Sequence, residues 1–395
     1  MTDWKQQVKV QLETVTPLFL GGAYPRGEPE LRPPAFRGAM RYWFRAALGG
    51  VIGDSVKQIQ AIEGELFGST NAESESNVRA SEVMLRLIPR SAFRSQSLQK
   101  KFEEVGKNYF FWSLFESGKQ ERGNFQSARK YFLPGEKFDL VLSQRAFTPS
   151  KSLNYALYSL WLLVYLGGVG SRSRRMAGSL TFVGNEVFDE LDFRLREDIQ
   201  DVAEKIGKGI SFIRTSLKKD FPNPIKPIQE YPQFDVLHPN TCHIWVLGWW
   251  SSWDKALNEV GKRMQDFRTR REPDHRNIAI WFSERPIKTV ERAVFGLPIV
   301  YRYSSGLSGV IQASILKDGK PELVERRASP LWLSLTRTNK GYVAIATLFK
   351  SRFLPQGAQL AIKKVRTQIS PPNGYELIET WIKQSFPSAI EVKYE

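Results

Sequence analysis

Cysteine occurs once in the 395 residues, at Cys242, and histidine three times, at His238, His243 and His275. A single thiol excludes an internal disulfide framework and a thiolate zinc site. The histidines all fall in the second half and none stands in metal-ligand spacing. No metal or cofactor is therefore expected, and acid–base catalysis has little to draw on. Long apolar runs are missing too. The best, YALYSLWLLVYL (Tyr155–Leu166), is 12 residues long, against the roughly 18–20 that a bilayer span needs. It predicts a buried helix. The N-terminal MTDWKQQVKVQLETVTP lacks the apolar core of a secretory signal. These absences together predict a cytoplasmic chain with no membrane partner.

Acidic residues are the other shortage: 41 Asp and Glu face 57 Lys and Arg, a formal charge of +16. With 42% hydrophobic residues the chain is folded material rather than a disordered polybasic tail. An excess of this size on a globular protein points to a polyanionic partner, of which nucleic acid is the commonest.

The length suggests about two domains. Alternation over 8–13 predicts a strand, and EVMLRLI (82–88), KFDLVL (137–142) and SLTFVG (179–184) predict three more. Met40, Trp43, Phe44, Ala47 and Leu48 keep helical spacing after Pro33-Pro34, with Gly49-Gly50 as the expected stop. Residues 153–166 supply the second helix. The order β, α, β, β, α, β is that of a ferredoxin-like split βαβ sandwich, with an insertion at 89–136. A charged helical stretch (186–219) and the proline-rich 221–234 then form a connector. A second round follows from TCHIWVLGW to NGYELIETWIKQS. The expected organisation is α+β: a first domain over 1–185, a connector over 186–236 and a second domain over 237–395.

Between the second helix and the fourth strand lies LGGVGSRSRRMAGSL (166–180), rich in glycine and arginine. A dinucleotide cradle needs G-x-G-x-x-G between a strand and a helix, but here Ser173 replaces the third glycine and the order is inverted. A P-loop ending is absent as well. Two readings remain open. In one, Gly168 and Gly170 let backbone amides approach phosphates while Arg172, Arg174 and Arg175 add charge-assisted bonds. The other is an ordinary solvated basic turn. Arg37, Arg41 and Arg45, four residues apart on the first helix, form a cationic stripe with few acids expected beside it. The preceding loop would bring Arg26 and Arg32 near. That stripe is either a nucleic-acid track or a wet helix face. Trp245, Trp249, Trp250 and Trp253 crowd one segment and fit base stacking or, more ordinarily, a core or an interface. His275, between Asp274 and Arg276, is the one histidine with an acid–base neighbourhood.

The run TPLFLGGAYPRGEPELRPPAFRGAMRYWFRA, followed by LGGVGSRSRRMAGSL, AVFGLPI (293–299) and ERRASPLWLSL (325–335), resembles the RAMP superfamily. Within it, the chain is similar to the family of first subunits of type III-B CRISPR effectors, the Cmr complexes. The resemblance implies two ferredoxin-like, RNA-recognition-motif-like domains with a glycine-rich loop near the end of the first. It further implies a non-catalytic, RNA-binding place at the head of a ribonucleoprotein, near the guide RNA 3′ region, with guide RNA, target RNA and other RAMP subunits as partners. Together with the basic loop and stripe, it makes the expected RNA contacts Arg32, Arg37, Arg41, Arg45, Gly168, Gly170, Arg172, Arg174 and Arg175. The loop departs from the glycine-rich pattern at Met176-Ala177. Two alternatives stand beside this reading: a metal-independent RAMP endoribonuclease maturing guide RNA through His275, and a protein-interaction cap using 245–253.

Overall fold

A computed structural model describes residues 7–70, 78–98, 101–117, 126–149, 151–184, 187–188, 191–194, 198–269, 271–317, 320–324, 326–363 and 365–395. The expected boundary at 185/186 lies outside the described residues, and the connector is not helical from its start: Val187–Phe188 and Leu191–Asp192 pair as short antiparallel strands before the helix that begins at Ile199.

Alternating apolar residues put β1 (Gln7–Thr14) in the centre of a sheet, with Val8, Val10 and Leu12 inward. It pairs antiparallel with β3 (Lys137–Gln144), Val10 facing Leu140, and with β4 (Leu180–Phe182), Glu13 facing Thr181. The edge strand β2 (Val83–Pro89) pairs with β3 through Leu85 and Leu142. The strand order is β2-β3-β1-β4. Two helices, α1 (Pro33–Ile52) and α2 (Val56–Phe67), lie between β1 and β2, and α4 (Lys151–Leu166) joins β3 to β4.

The first helix starts as its prolines require, since Pro33 and Pro34 occupy positions with no intrahelical N–H partner. Met40, Trp43, Phe44, Ala47 and Leu48 are all buried. Gly49-Gly50 does not end it. The helix runs on to Ile52 and closes at Gly53, whose N–H returns to the Gly49 carbonyl at 3.0 Å. A Cβ on Gly50 would stand 2.0 Å from the Leu237 carbonyl oxygen. The diglycine thus lets the chain after the connector lie against the helix, and Arg214 Nη1 bonds both Gly50 O (2.9 Å) and Leu237 O (2.8 Å) there. Arg214 belongs to α5 (Ile199–Asp220), which begins with Asp198 accepting from the Asp201 amide. The proline-rich segment is held as well, with Ile225 and Lys226 both donating to the Ile52 carbonyl.

The second sheet repeats the order of the first. Its centre is β5 (Cys242–Trp250), flanked by β7 (Tyr342–Phe349) and β8 (Ile390–Glu391), with β6 (Leu331–Arg337) outside β7. Between β5 and β6 come α6 (Trp253–Arg268) and α7 (Asp274–Phe282), and α8 (Glu376–Ser385) precedes β8. The sequence pattern did not reveal α7. It also missed a third antiparallel sheet built from Ile299–Arg302, Ser308–Lys317, Lys320–Val324 and Gln359–Ile362.

Far from being a featureless insertion, 89–136 contains the strand pair Ser95–Ser97 with Lys130–Phe132 and the helix α3 (Val105–Phe111). Phe110 and Phe111 are buried in the second sheet's core, and the Gly106 amide bonds Asn258 Oδ1 of α6 at 2.9 Å. The insertion bridges the two halves. Among the described residues no helix is long and apolar enough to cross a membrane.

Candidate nucleic-acid interface

The glycine-arginine loop is a rigid knot. Gly170 has φ +87°, and a Cβ there would stand 2.4 Å from the Phe19 carbonyl oxygen. Arg172 (φ +63°) and Met176 (φ +64°) take the same left-handed region on either side of a short 3-10 turn, Ser173–Arg175. Val169 N–H bonds Gly178 O (2.9 Å), Ser171 N–H bonds Phe19 O (3.0 Å), and Gly168 lies against the Ala177 carbonyl.

The departure at Met176-Ala177 has a structural reason. Both side chains are fully buried in the second sheet's core. Met176 N–H donates to the Leu333 carbonyl at 3.0 Å, and Leu335 N–H donates to Ser179 Oγ at 3.0 Å. The loop covers the edge of β6, which would otherwise be an open ladder.

Its three arginines therefore point into different surroundings. Arg172 donates to Ser113 Oγ and lies 5.8 Å from the centroid of the Trp112 ring. Arg174 stacks 4.3 Å from the Trp332 centroid, donates to Ser329 O and stands 3.7 Å from Asp235. Arg175 is enclosed. Its Nη2 reaches Phe295 O at 3.3 Å and its Nη1 Arg174 O at 3.2 Å. Burial, then the neighbouring Arg268 guanidinium, pushes Arg175 down to about 9, and burial with Arg326 lowers Arg172. Among the described residues no carboxylate forms an ion pair with either, which leaves positive charge at both guanidinium groups without such a partner.

Asp235 is the hub beneath the loop. It accepts from Tyr42 Oη (2.6 Å) and Ser351 Oγ (2.6 Å), while Trp332 Nε1 donates to Tyr42 Oη (2.9 Å). Burial and the Asp235 charge raise the Tyr42 phenol well above its usual range, so it remains a donor.

The stripe on α1 is placed otherwise. Arg41 and Arg45 both bond Glu63 of α2, the latter at 3.0 Å, and the Glu63 side chain is only 4% exposed. The expectation of few acids beside the stripe is corrected: the acid comes from the next helix. Arg37 and Arg41, with Arg79, line a cleft of about 460 Å³. Arg32 is exposed beside Glu30 at 3.8 Å. Arg26 lies apart, donating to Ser127 O and Gln126 Oε1.

Residues missed by sequence reasoning complete the loop site. Arg268 donates to Tyr109 Oη at 2.6 Å, and Tyr109, Trp112 and Ser113 share one side of the turn at and after α3. Ser113 lies 59 residues from Arg172 in sequence, and no local spacing links such positions. The other tryptophans divide between roles. Trp245 is buried, Trp250 Nε1 bonds Glu259 at 2.7 Å, Lys107 lies 6.0 Å over Trp253, and Trp249 is half exposed. His275 faces Glu272 at 3.8 Å and the Tyr303 ring at 4.8 Å. His238 is pushed down to about 4 by burial and nearby cations.

A family model described as the RAMP superfamily matches residues 11–181, a span that takes in the end of β1, all of α1 and the whole glycine-arginine loop. The chain is 36% identical over 176 residues to the CRISPR system Cmr subunit Cmr1-2 of Pyrococcus furiosus, covering 91% of that protein and 43% of this chain. The chain belongs to the Cmr1 family of the RAMP superfamily. It is also 29% identical over 358 residues to Cmr1-1 of the same organism, covering 88% of each chain. The crystal structure of Cmr1 from Pyrococcus furiosus in its apo form shares the fold, at 23% identity and a TM-score of 0.60 over 98% of both chains. A chain of a type III-B Cmr-beta complex bound to cognate target RNA aligns at 14% identity and a TM-score of 0.52, covering 95% of this chain and 98% of that one. The Cmr1 match reaches well past the superfamily span, into the second sheet that the loop arginines touch.

Proposed function

We propose that the chain is a non-catalytic, RNA-binding subunit of a type III-B CRISPR ribonucleoprotein, sitting at its head near the guide RNA 3′ region. Membership of the Cmr1 family supports the assembly. The observation that carries the RNA reading is the cluster of Arg172, Arg175, Arg268 and Arg326 around the loop, with Asp235 the one carboxylate among the described residues that reaches the loop's arginines. Guanidinium forks suit phosphate oxygens, and contacts of this kind position a strand without reading its sequence. Base pairing between guide and target carries the sequence. Gly168 and Gly170 build the loop that aims Arg172, Arg174 and Arg175 at the strand. Arg37, Arg41, Arg45 and Arg32 extend the positive surface along α1.

In the same reading residues 1–185 and 237–395 are two ferredoxin-like units joined by 186–236. What supports this is the shared strand order, with the first strand central and the second at the edge in both sheets.

Filter binding of a folded Arg172→Ala, Arg174→Ala, Arg175→Ala variant tests the clamp. Three lost phosphate contacts lower affinity and flatten the log–log salt slope by about 2, at roughly 0.7 per contact for single strands. Unchanged affinity and slope reject it. For the endoribonuclease alternative, incubation with repeat RNA in EDTA decides: specific cleavage lost in His275→Ala would replace the non-catalytic reading.

A further inference from the structure

Trp112 is 60% exposed, an unusual position for the largest apolar side chain. It follows α3 directly, and its neighbours Tyr109 and Ser113 both meet the arginine cluster. Tyr109 bonds Arg268, Ser113 accepts from Arg172, and the Trp112 ring carries the Arg172 guanidinium at 5.8 Å from its centroid. An exposed aromatic ring backed by a cation, beside further uncompensated arginines, is the pairing that single-stranded nucleic acid rewards. Bases stack on the ring while phosphates meet the charges. A protein partner would match the apolar ring but not the surrounding charge.

We propose that Trp112 is a nucleobase-stacking residue at the rim of the arginine cluster. One unpaired base of the bound strand packs on the ring face away from Arg172, and the adjoining phosphates lie against Arg172 and Arg326. The inserted helix is then part of the RNA site rather than a spacer. This rests on the RNA reading above and adds to it a contact that needs a base as well as a backbone.

The test uses the full chain and two probes of equal length, a single-stranded oligouridylate and an abasic ribose-phosphate strand. Trp112→Ala weakens oligouridylate binding about tenfold, the scale of one lost base–aromatic stack, and leaves the abasic strand unaffected. Trp112→Phe retains most of the affinity. Arg172→Ala weakens both probes. If Trp112→Ala binds oligouridylate like the parent while Arg172→Ala weakens both, the clamp stands and stacking is wrong, leaving the ring to a protein surface. Equal weakening of both probes by Trp112→Ala makes the ring a mere prop for Arg172 and also overturns the proposal. If Arg172→Ala leaves both probes unchanged, the RNA reading itself fails.

Discussion

The guanidinium of Arg174 lies 4.3 Å from the centroid of the Trp332 ring, so an arginine of the first sheet's last connection is stacked on the edge strand of the second sheet. Tyr42 of α1 closes the group, its ring centroid 4.9 Å from that of Trp332 and 5.4 Å from the Arg174 guanidinium. Three segments far apart in sequence meet here, and the meeting fixes how the two sheets are joined. Trp332→Ala removes a nearly buried ring and costs about 3–5 kcal/mol in urea denaturation. Arg174→Ala loses the stack and its bond to Ser329 O, costing about 1–2 kcal/mol. Arg172→Ala, at the rim, changes stability by less than about 1 kcal/mol. Equal costs for the two arginines would contradict this division of roles.

Arg175 supplies a test of opposed effects. Its folded pKa lies near 9, below that of a free guanidinium, so the folded state disfavours the charged form. Below pH 9 the group is charged whether folded or unfolded, and the penalty is present in full. It fades as pH rises through the folded value, because the native side chain can then lose its proton. Arg175→Met therefore stabilises the protein at pH 7 by on the order of 1 kcal/mol, and the gain shrinks above pH 9. RNA affinity falls in the same variant. Thermal melts at pH 7 and 10 and a binding isotherm check the three signs, and a destabilised Arg175→Met at pH 7 would remove the argument.

Glu63 tests whether the α1 stripe belongs to the RNA surface. Neutralising it in Glu63→Gln removes the charge partner of Arg41 and Arg45, both about a third exposed. The stability cost is small for that reason, about 1–2 kcal/mol. The freed guanidinium groups strengthen RNA binding at low salt and steepen its salt dependence. If affinity and slope stay at the parental values, the stripe is a structural clasp on α2 and not a track.

Gly170→Ala places a methyl group at a left-handed backbone and against the Phe19 carbonyl. The cost is about 1–3 kcal/mol from conformation alone. Hydrogen exchange should show the loop amides of Val169 and Ser171 losing protection first, since their acceptors are Gly178 and Phe19. A variant as stable as the parent would mean that the loop is loose.

Much of this protein was legible locally. The alternation of 8–13 and 137–142 and the apolar helix before the loop gave four strands and two helices of the first half nearly at their observed limits. Periodicity depends on neighbours in sequence, and those residues follow it cleanly. The same local view misjudged Gly49-Gly50, because what sits against a helix glycine is decided by a chain segment nearly two hundred residues away. It also left α3 unassigned and Trp112 unmentioned. That helix is short, and its apolar face answers to α6 rather than to its own neighbours.

The amino-acid sequence determined the charge excess, the two rounds of strands and helices, the family, and the presence of an arginine-bearing glycine loop. It could not say which guanidinium groups remain available. The tertiary structure decided that by holding Arg175 half-buried with no carboxylate partner among the described residues, stacking Arg174 on Trp332, setting Arg41 and Arg45 on Glu63, and leaving Arg172 at the rim beside Trp112. Composition sets how much charge a chain carries, but whether a charge is neutralised depends on groups brought within a few ångströms by folding, and sequence distance does not measure that.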